Sequence, residues 1–179
     1  MSAPAGRITG DIHMWVMVLG DLFFFGCYFL TYMVFRARSP ELFAAGQRQL
    51  HLGIGVVNTV VLLTASLFAA LAVLEVRRGA VRATRRWLLA AGGCGVLFAA
   101  LKGFEWQHAL AAGHTVADEF FSFYYVLTGV HLAHLLLGLL ILGIVARAPR
   151  VGPVEQGALY WHMVDLLWIV IFAILYLLR

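Results

Sequence analysis

Charge is what this chain has least of. Only 12% of its 179 residues are Asp, Glu, Lys or Arg, about half the share found in a soluble globular domain. With 63% of residues hydrophobic and a mean hydropathy of +0.90, too little polar surface remains to face water on every side. That excludes a soluble globular protein. Cysteine is limited to Cys27 and Cys94, both inside apolar stretches and without metal-like spacing to each other or to a histidine. They read as small apolar residues, not as a disulfide. Proline occurs four times, and no internal repeat or low-complexity tract breaks the chain, so residues 1–179 form a single domain. Lysine is almost missing: twelve of the thirteen Lys and Arg residues are Arg. They lie mainly in connections and form no single stripe, which argues against a nucleic-acid partner. In a membrane protein such a pattern reports topology and contact with anionic headgroups. The first apolar stretch is too long for a signal-peptide core and no small-residue cleavage site follows it, so it stays as a helix.

What the chain has in quantity is long apolar runs. A spanning helix needs about 20 predominantly apolar residues. Five segments qualify, at about Ile12–Phe35, Gly53–Glu75, Trp87–His108, Phe120–Ala146 and Gly157–Leu178. The expected fold is all-α, a polytopic bundle of five transmembrane helices. Ser39-Pro40 signals a helix entry or turn, with a short interfacial helix expected around Glu41–Leu50. Val76–Arg86 carries five arginines, Ala109–Glu119 carries no Lys or Arg, and Pro149, Gly152 and Pro153 separate the last two helices. Arg7, those five arginines, Arg147 and Arg150 make eight cations on one side, against Arg36, Arg38, Arg48 and Arg179 on the other. The cation-rich side stays in the cytoplasm. This puts the N-terminus inside and the C-terminus outside a bacterial plasma membrane. Glycines in the second to fourth spanning segments, such as Gly55, Gly95 and Gly138, permit close backbone approach.

Ionisable groups inside spanning segments cost a few kcal/mol each, so each calls for a partner or a role. Asp21 stands among apolar residues in the first segment, as a proton-exchanging acid, a lipid-headgroup contact or a carboxyl bonded to a neighbouring helix. Lys102, Glu105 and His108 follow one another at intervals of three in the third. That spacing places them on one helical face, where Lys102 and Glu105 can pair. His131 and His134 in the fourth segment, and His162 and Asp165 in the fifth, repeat the spacing. Three histidines and two aspartates could converge in the inner half of the bundle. Such a cluster admits a hydrogen-bonded polar core, a proton relay, or a haem or metal site on His131, His134 and His162.

The segment Leu101-Lys102-Gly103-Phe104-Glu105-Trp106, the run Phe120 to His134 containing T-G-x-H-x-x-H, and Tyr160-Trp161-His162-Met163-Val164-Asp165 with its Y-W-H-x-V-D pattern together resemble subunit III of the haem-copper oxidases. Met14–Phe25, with Asp21, is similar to that family's carboxylate-bearing helix, where the acid is usually Glu. The resemblance covers nearly the whole chain and corresponds to the last five of seven helices in the common form. It implies a non-catalytic membrane subunit of a respiratory terminal oxidase, with no catalytic centre, haem or metal of its own. The partner catalytic subunit I would hold haem and copper, pass electrons from cytochrome c to oxygen and translocate protons. This chain would stabilise that subunit, support proton uptake and hold phospholipid. Asp21 is implied as the proton or lipid contact. Lys102, Glu105, His131, His134, His162 and Asp165 are implied as interhelical or headgroup contacts. The short form also resembles the accessory subunit linked to nitric oxide reductase, which leaves that reductase as an alternative partner.

Overall fold

The computed structural model describes residues 12–178, with side chains described from Trp15 onward. Arg7 and Arg179 of the charge count lie outside the described residues. Six helices follow in order: α1 (Ile12–Arg38), α2 (Pro40–Gln49), α3 (Leu52–Arg77), α4 (Val81–Ala111), α5 (Glu119–Arg147) and α6 (Val151–Phe172), the last running into a π-helical turn at Ala173–Leu177. All but α2 are long and apolar enough to cross a membrane. The short α2 lies where a short helix is expected, about Glu41–Leu50. It carries Pro40 at its start, where a missing N–H removes no helical bond.

The helices outrun the expected spans at most ends. α4 starts six residues before Trp87, at Val81, because the arginines near the membrane surface extend their long stems and keep their charges in water. Pro149 stops α5, whereas Gly152 and Pro153, expected as spacers, lie in the first turn of α6. Proline fits there because first-turn N–H groups have no partner inside the helix. The turns after α3 and α4 close on Gly79 (φ 75°) and Gly113 (φ 88°). In each, the next residue's N–H reaches back five residues, Ala80 to Glu75 and His114 to Ala109, both at 3.0 Å. This closure needs the left-handed conformation that glycine adopts freely.

Burial in α3 falls on Gly55, Asn58, Leu62, Ala65, Ala69, Ala72 and Val76. In α4 it falls on Thr84, Leu88, Ala91, Gly95, Phe98, Lys102 and Glu105. Both stripes alternate steps of three and four, the spacing that keeps one seam facing its partner. Small residues along the seam let the two backbones come close. Helix α6 is the centre of the bundle: 56% of its apolar window is buried, against 17% in α1. It places Trp161 between Gly95 of α4 and Gly138 of α5, where a Cβ on Gly95 would stand 2.6 Å from the indole. Helix α1 leans on the bundle through rings, with Phe35 5.3 Å from Phe123 and Tyr32 5.3 Å from Phe43. Its other side exposes Val16, Leu19, Phe23 and Leu30, a face for lipid or another protein chain.

Gly95→Val should force Trp161 out of its slot. Overpacking of this kind costs about 1–3 kcal/mol, readable as a lower midpoint in detergent-induced unfolding. Gly93→Val, where a Cβ meets nothing within 4 Å, is the matched control and should leave the midpoint unchanged.

Candidate functional site

The inward stripe of α4 ends in two charges. Lys102 and Glu105 occupy positions that would otherwise hold apolar core residues, and they are 1% and 2% exposed. The Lys102 Nζ lies 2.8 Å from Glu105 Oε2. It also donates to the Tyr124 hydroxyl at 3.2 Å and the Tyr176 hydroxyl at 2.9 Å. An ammonium has three N–H donors, and all three have acceptors here. Tyr176 returns a hydrogen bond of 2.7 Å to Glu105 Oε1, closing a ring that joins α4, α5 and the π-helical turn. Three aromatic faces surround the ammonium, those of Tyr124, Trp168 and Tyr176 at 4.6, 5.1 and 5.4 Å. Their quadrupoles attract the cation.

About two turns along α5 from Tyr124, His131 is wholly buried. Its imidazole packs against Phe98 at 5.6 Å and Trp168 at 5.3 Å, and neither ring nitrogen has a hydrogen-bond partner among the described residues. Trp168 in turn donates through Nε1 to Thr59 of α3 at 3.1 Å.

His134 parts company with His131. The buried stripe of α5 steps from His131 to Leu135 and Gly138, so His134 points towards α1. There its Nε2 lies 3.5 Å from Asp21 Oδ1. Its Nδ1 sits 2.8 Å from the Val130 carbonyl, which can only accept, so the Nδ1 hydrogen is committed. Both side chains are about three-quarters covered. They line a cleft of about 380 Å³ between α1 and α5 whose other walls are Phe24, Phe25, Tyr28, Val126, Leu127 and Val130.

His162 points elsewhere again, with its Nδ1 2.6 Å from the Ser66 hydroxyl of α3. Asp165 is buried near that same hydroxyl, and its Oδ1 has no partner among the described residues. His108 stands exposed, 5.4 Å from the ring of His51. The expected convergence of three histidines and two aspartates is therefore a separation into three places. Residues three apart differ by 300° around a helix, and the remaining 60° moves His131 and His134 onto different neighbours. Among the described residues no three His, Cys, Asp or Glu side chains come together to hold a metal ion. That removes the geometry on which a site at His131, His134 and His162 would depend. The hydroxyls of Tyr124, Tyr176 and Ser66 and the amide of Gln47 were not expected at polar contacts. Gln47 of α2 donates to the Ile174 carbonyl at 3.1 Å and the Tyr32 hydroxyl at 3.3 Å, fastening α2 to α6 and α1.

The chain matches the cytochrome c oxidase subunit III family over residues 7–179. It is 28% identical over 185 residues to the cytochrome c oxidase subunit 3 of Thermostichus vulcanus, covering 98% of this chain and 89% of that one. It is 30% identical to a probable cytochrome c oxidase subunit 3 of Nocardia farcinica, covering 100% of this chain and 98% of the other. A heme-copper oxidase subunit I+III of Aeropyrum pernix is 28% identical across 92% of this chain, which spans 22% of that longer protein.

The Lys102–Glu105 pair generates a paired prediction. Lys102→Met leaves the Glu105 carboxylate buried without its cation and should destabilise the bundle by about 3–5 kcal/mol. Lys102→Met combined with Glu105→Gln should recover most of that loss. Unfolding in mixed micelles, followed by circular dichroism, measures both.

Proposed function

The chain belongs to the cytochrome c oxidase subunit III family, a non-catalytic subunit of a haem-copper oxidase, and we propose that it braces the oxygen-reducing catalytic subunit and presents a proton-sharing acid–base pair at the membrane. The observation that carries this reading is the division of the polar residues. Lys102, Glu105, Tyr124 and Tyr176 satisfy one another inside the bundle and act as a structural clamp. Asp21 and His134 stand 3.5 Å apart beside an open apolar cleft, placed to exchange a proton or to meet a lipid headgroup. Among the described residues no three His, Cys, Asp or Glu side chains gather around a metal position, and the haem and copper of the reaction are assigned to the partner subunit.

A chain in Aeropyrum pernix whose name joins subunits I and III supports direct contact between this subunit and subunit I. Electrons would pass from cytochrome c to oxygen within that partner, with protons taken up from the cytoplasmic side. The end of the bundle where α3 passes into α4 and α5 into α6 carries Arg77, Arg78, Arg82, Arg85, Arg86, Arg147 and Arg150, which favours a cytoplasmic position for that end in a bacterial plasma membrane. The cleft between α1 and α5 suits phospholipid, since its walls are apolar apart from Asp21, His134 and the Tyr28 hydroxyl. The Thermostichus vulcanus and Nocardia farcinica relatives are matched over nearly all of their own length, so the short form does not single out a nitric oxide reductase.

Affinity purification of the native complex through this chain tests the assignment. A co-purifying subunit with haem and copper, oxygen reduction by the complex, and a colourless, metal-free dissociated chain are expected. Haem or stoichiometric metal on this chain itself, or a complex that reduces nitric oxide and lacks copper, refutes it. Within the complex, Asp21→Ala should leave the haem spectrum intact while slowing proton uptake during turnover or shortening the active lifetime. Asp21→Glu, which restores the acid, should recover most of the wild-type behaviour, and collapse of the haem spectrum in Asp21→Ala would remove Asp21 from this role.

A further inference from the structure

Five arginines crowd the end of the bundle where α3 passes into α4, and three of them are engaged within the chain. Arg77 bonds Glu155 at 2.7 Å and Arg78 bonds Glu75 at 3.0 Å. Arg85 caps the end of α5, donating to the carbonyls of Ala146 and Arg147 at 2.9 and 3.0 Å. Arg82 and Arg86 are different. Both are exposed, and neither makes a hydrogen bond or an ion pair with any described residue. They stand four residues apart on α4, which places them on one face. The nearby carboxylates Glu75 and Glu155 already face Arg78 and Arg77, so no acid among the described residues opposes these two cations.

Directly beside Arg86, a cavity of about 310 Å³ is lined by Ala83, Arg86, Trp87 and Ala90. Ala83, Trp87 and Ala90 follow at steps of four and three along α4, so they form a strip running from the arginines towards the membrane interior. The two alanines leave the strip shallow. Trp87 gives it a rigid wall, held by ring packing on Phe68 of α3 at 5.4 Å. The site therefore has the Arg86 guanidinium at its mouth, with Arg82 one turn away on the same face of α4, and an apolar groove below. A tryptophan sits between them, the residue type favoured where headgroups give way to acyl chains.

We infer that this groove is a binding site for an anionic phospholipid of the arginine-rich leaflet, with Arg82 and Arg86 holding the phosphate and the acyl chain lying along Ala83, Trp87 and Ala90. A guanidinium fork matches phosphate oxygens in pairs, and each basic residue near an anionic membrane surface adds about 1 kcal/mol, roughly a fivefold preference. The site lies on α4 and is separate from the cleft that Asp21 and His134 line between α1 and α5. It rests only on the chain's position in a membrane, not on which oxidant its partner reduces.

Trp87 provides the probe. The full chain is reconstituted into phosphatidylcholine vesicles containing brominated phosphatidylglycerol or, in parallel, brominated phosphatidylcholine at equal mole fraction. The Trp87 emission is taken as the part removed by Trp87→Phe. Brominated phosphatidylglycerol should associate with Trp87 at least fivefold more strongly than brominated phosphatidylcholine, and Arg82→Gln with Arg86→Gln should bring the ratio close to one. Native mass spectrometry of the intact complex gives a second readout. The double variant should retain one anionic phospholipid fewer, with the other subunits still bound. Equal quenching by the two lipids in the wild-type chain, or a preference that survives in the double variant, overturns the site. So does loss of the catalytic subunit with lipid selectivity unchanged, which would assign Arg82 and Arg86 to subunit docking.

Discussion

An ammonium and a carboxylate shut inside a membrane bundle cannot draw on water, so every donor and acceptor they bring must be met by the chain itself. Lys102 and Glu105 are in that position. Their answer is to recruit Tyr124 from α5 and Tyr176 from the end of α6. The demand reaches further than the four side chains. The Tyr176 hydroxyl must arrive at one place, and the chain segment that delivers it is the π-helical turn at Ala173–Leu177. The Ile174 carbonyl in that turn accepts from Gln47, which in turn seats α2. One buried ion pair thus ties α4, α5 and the end of α6 together, and through Gln47 it reaches the short helix α2.

Against this closed clamp the α1 side of the molecule is open. Helix α1 meets the bundle through ring edges and has the lowest share of buried residues. It is also where the acid–base pair Asp21–His134 stands beside a cleft. A subunit without redox chemistry of its own is useful to its partner in this form. The core around Lys102 is closed and fully bonded, and the α1 edge is where the proposed lipid and proton contacts lie. The two kinds of polar group are distinguished by satisfaction: every donor of Lys102 has an acceptor inside the bundle, whereas Asp21 and His134 meet each other only at 3.5 Å and stay partly exposed.

Much of this was legible in the residues. Five apolar runs gave five helices, and Ser39-Pro40 marked the start of α2. The interval of three between Lys102 and Glu105 announced their pairing. The helix ends were less legible, because arginine near a headgroup layer does not end a helix, and Pro153 in a first turn does not prevent one. The histidines were misplaced for a geometric reason. An interval of three leaves two side chains 60° apart, which keeps Lys102 and Glu105 in reach because both side chains are long. His131 and His134 have short, rigid stems and turn to different helices. Tyr124 lay seven residues before His131 on the same stripe, so the periodicity of α5 contained the signal. Tyr176 had no such signal, since its direction depends on the π-helical turn that shifts the register of α6.

Lys102 is the chain's lone lysine, so a single side-chain nitrogen reports on the clamp directly. Solid-state NMR on the chain labelled with 15N at Lys Nζ and 13C at Glu Cδ and Tyr Cζ gives its distances to neighbours without assignment ambiguity at the nitrogen. A contact of 2.8 Å from Nζ to the Glu105 carboxylate requires a carboxyl carbon within about 4 Å of that nitrogen, with phenol carbons close by. Strong dephasing by a glutamate carbon, lost in Glu105→Gln labelled only at Glu, is the predicted result. A Lys102 nitrogen that shows no carboxyl or phenol carbon nearby would contradict the account, because the polar clamp joining α4, α5 and the end of α6 would then not exist.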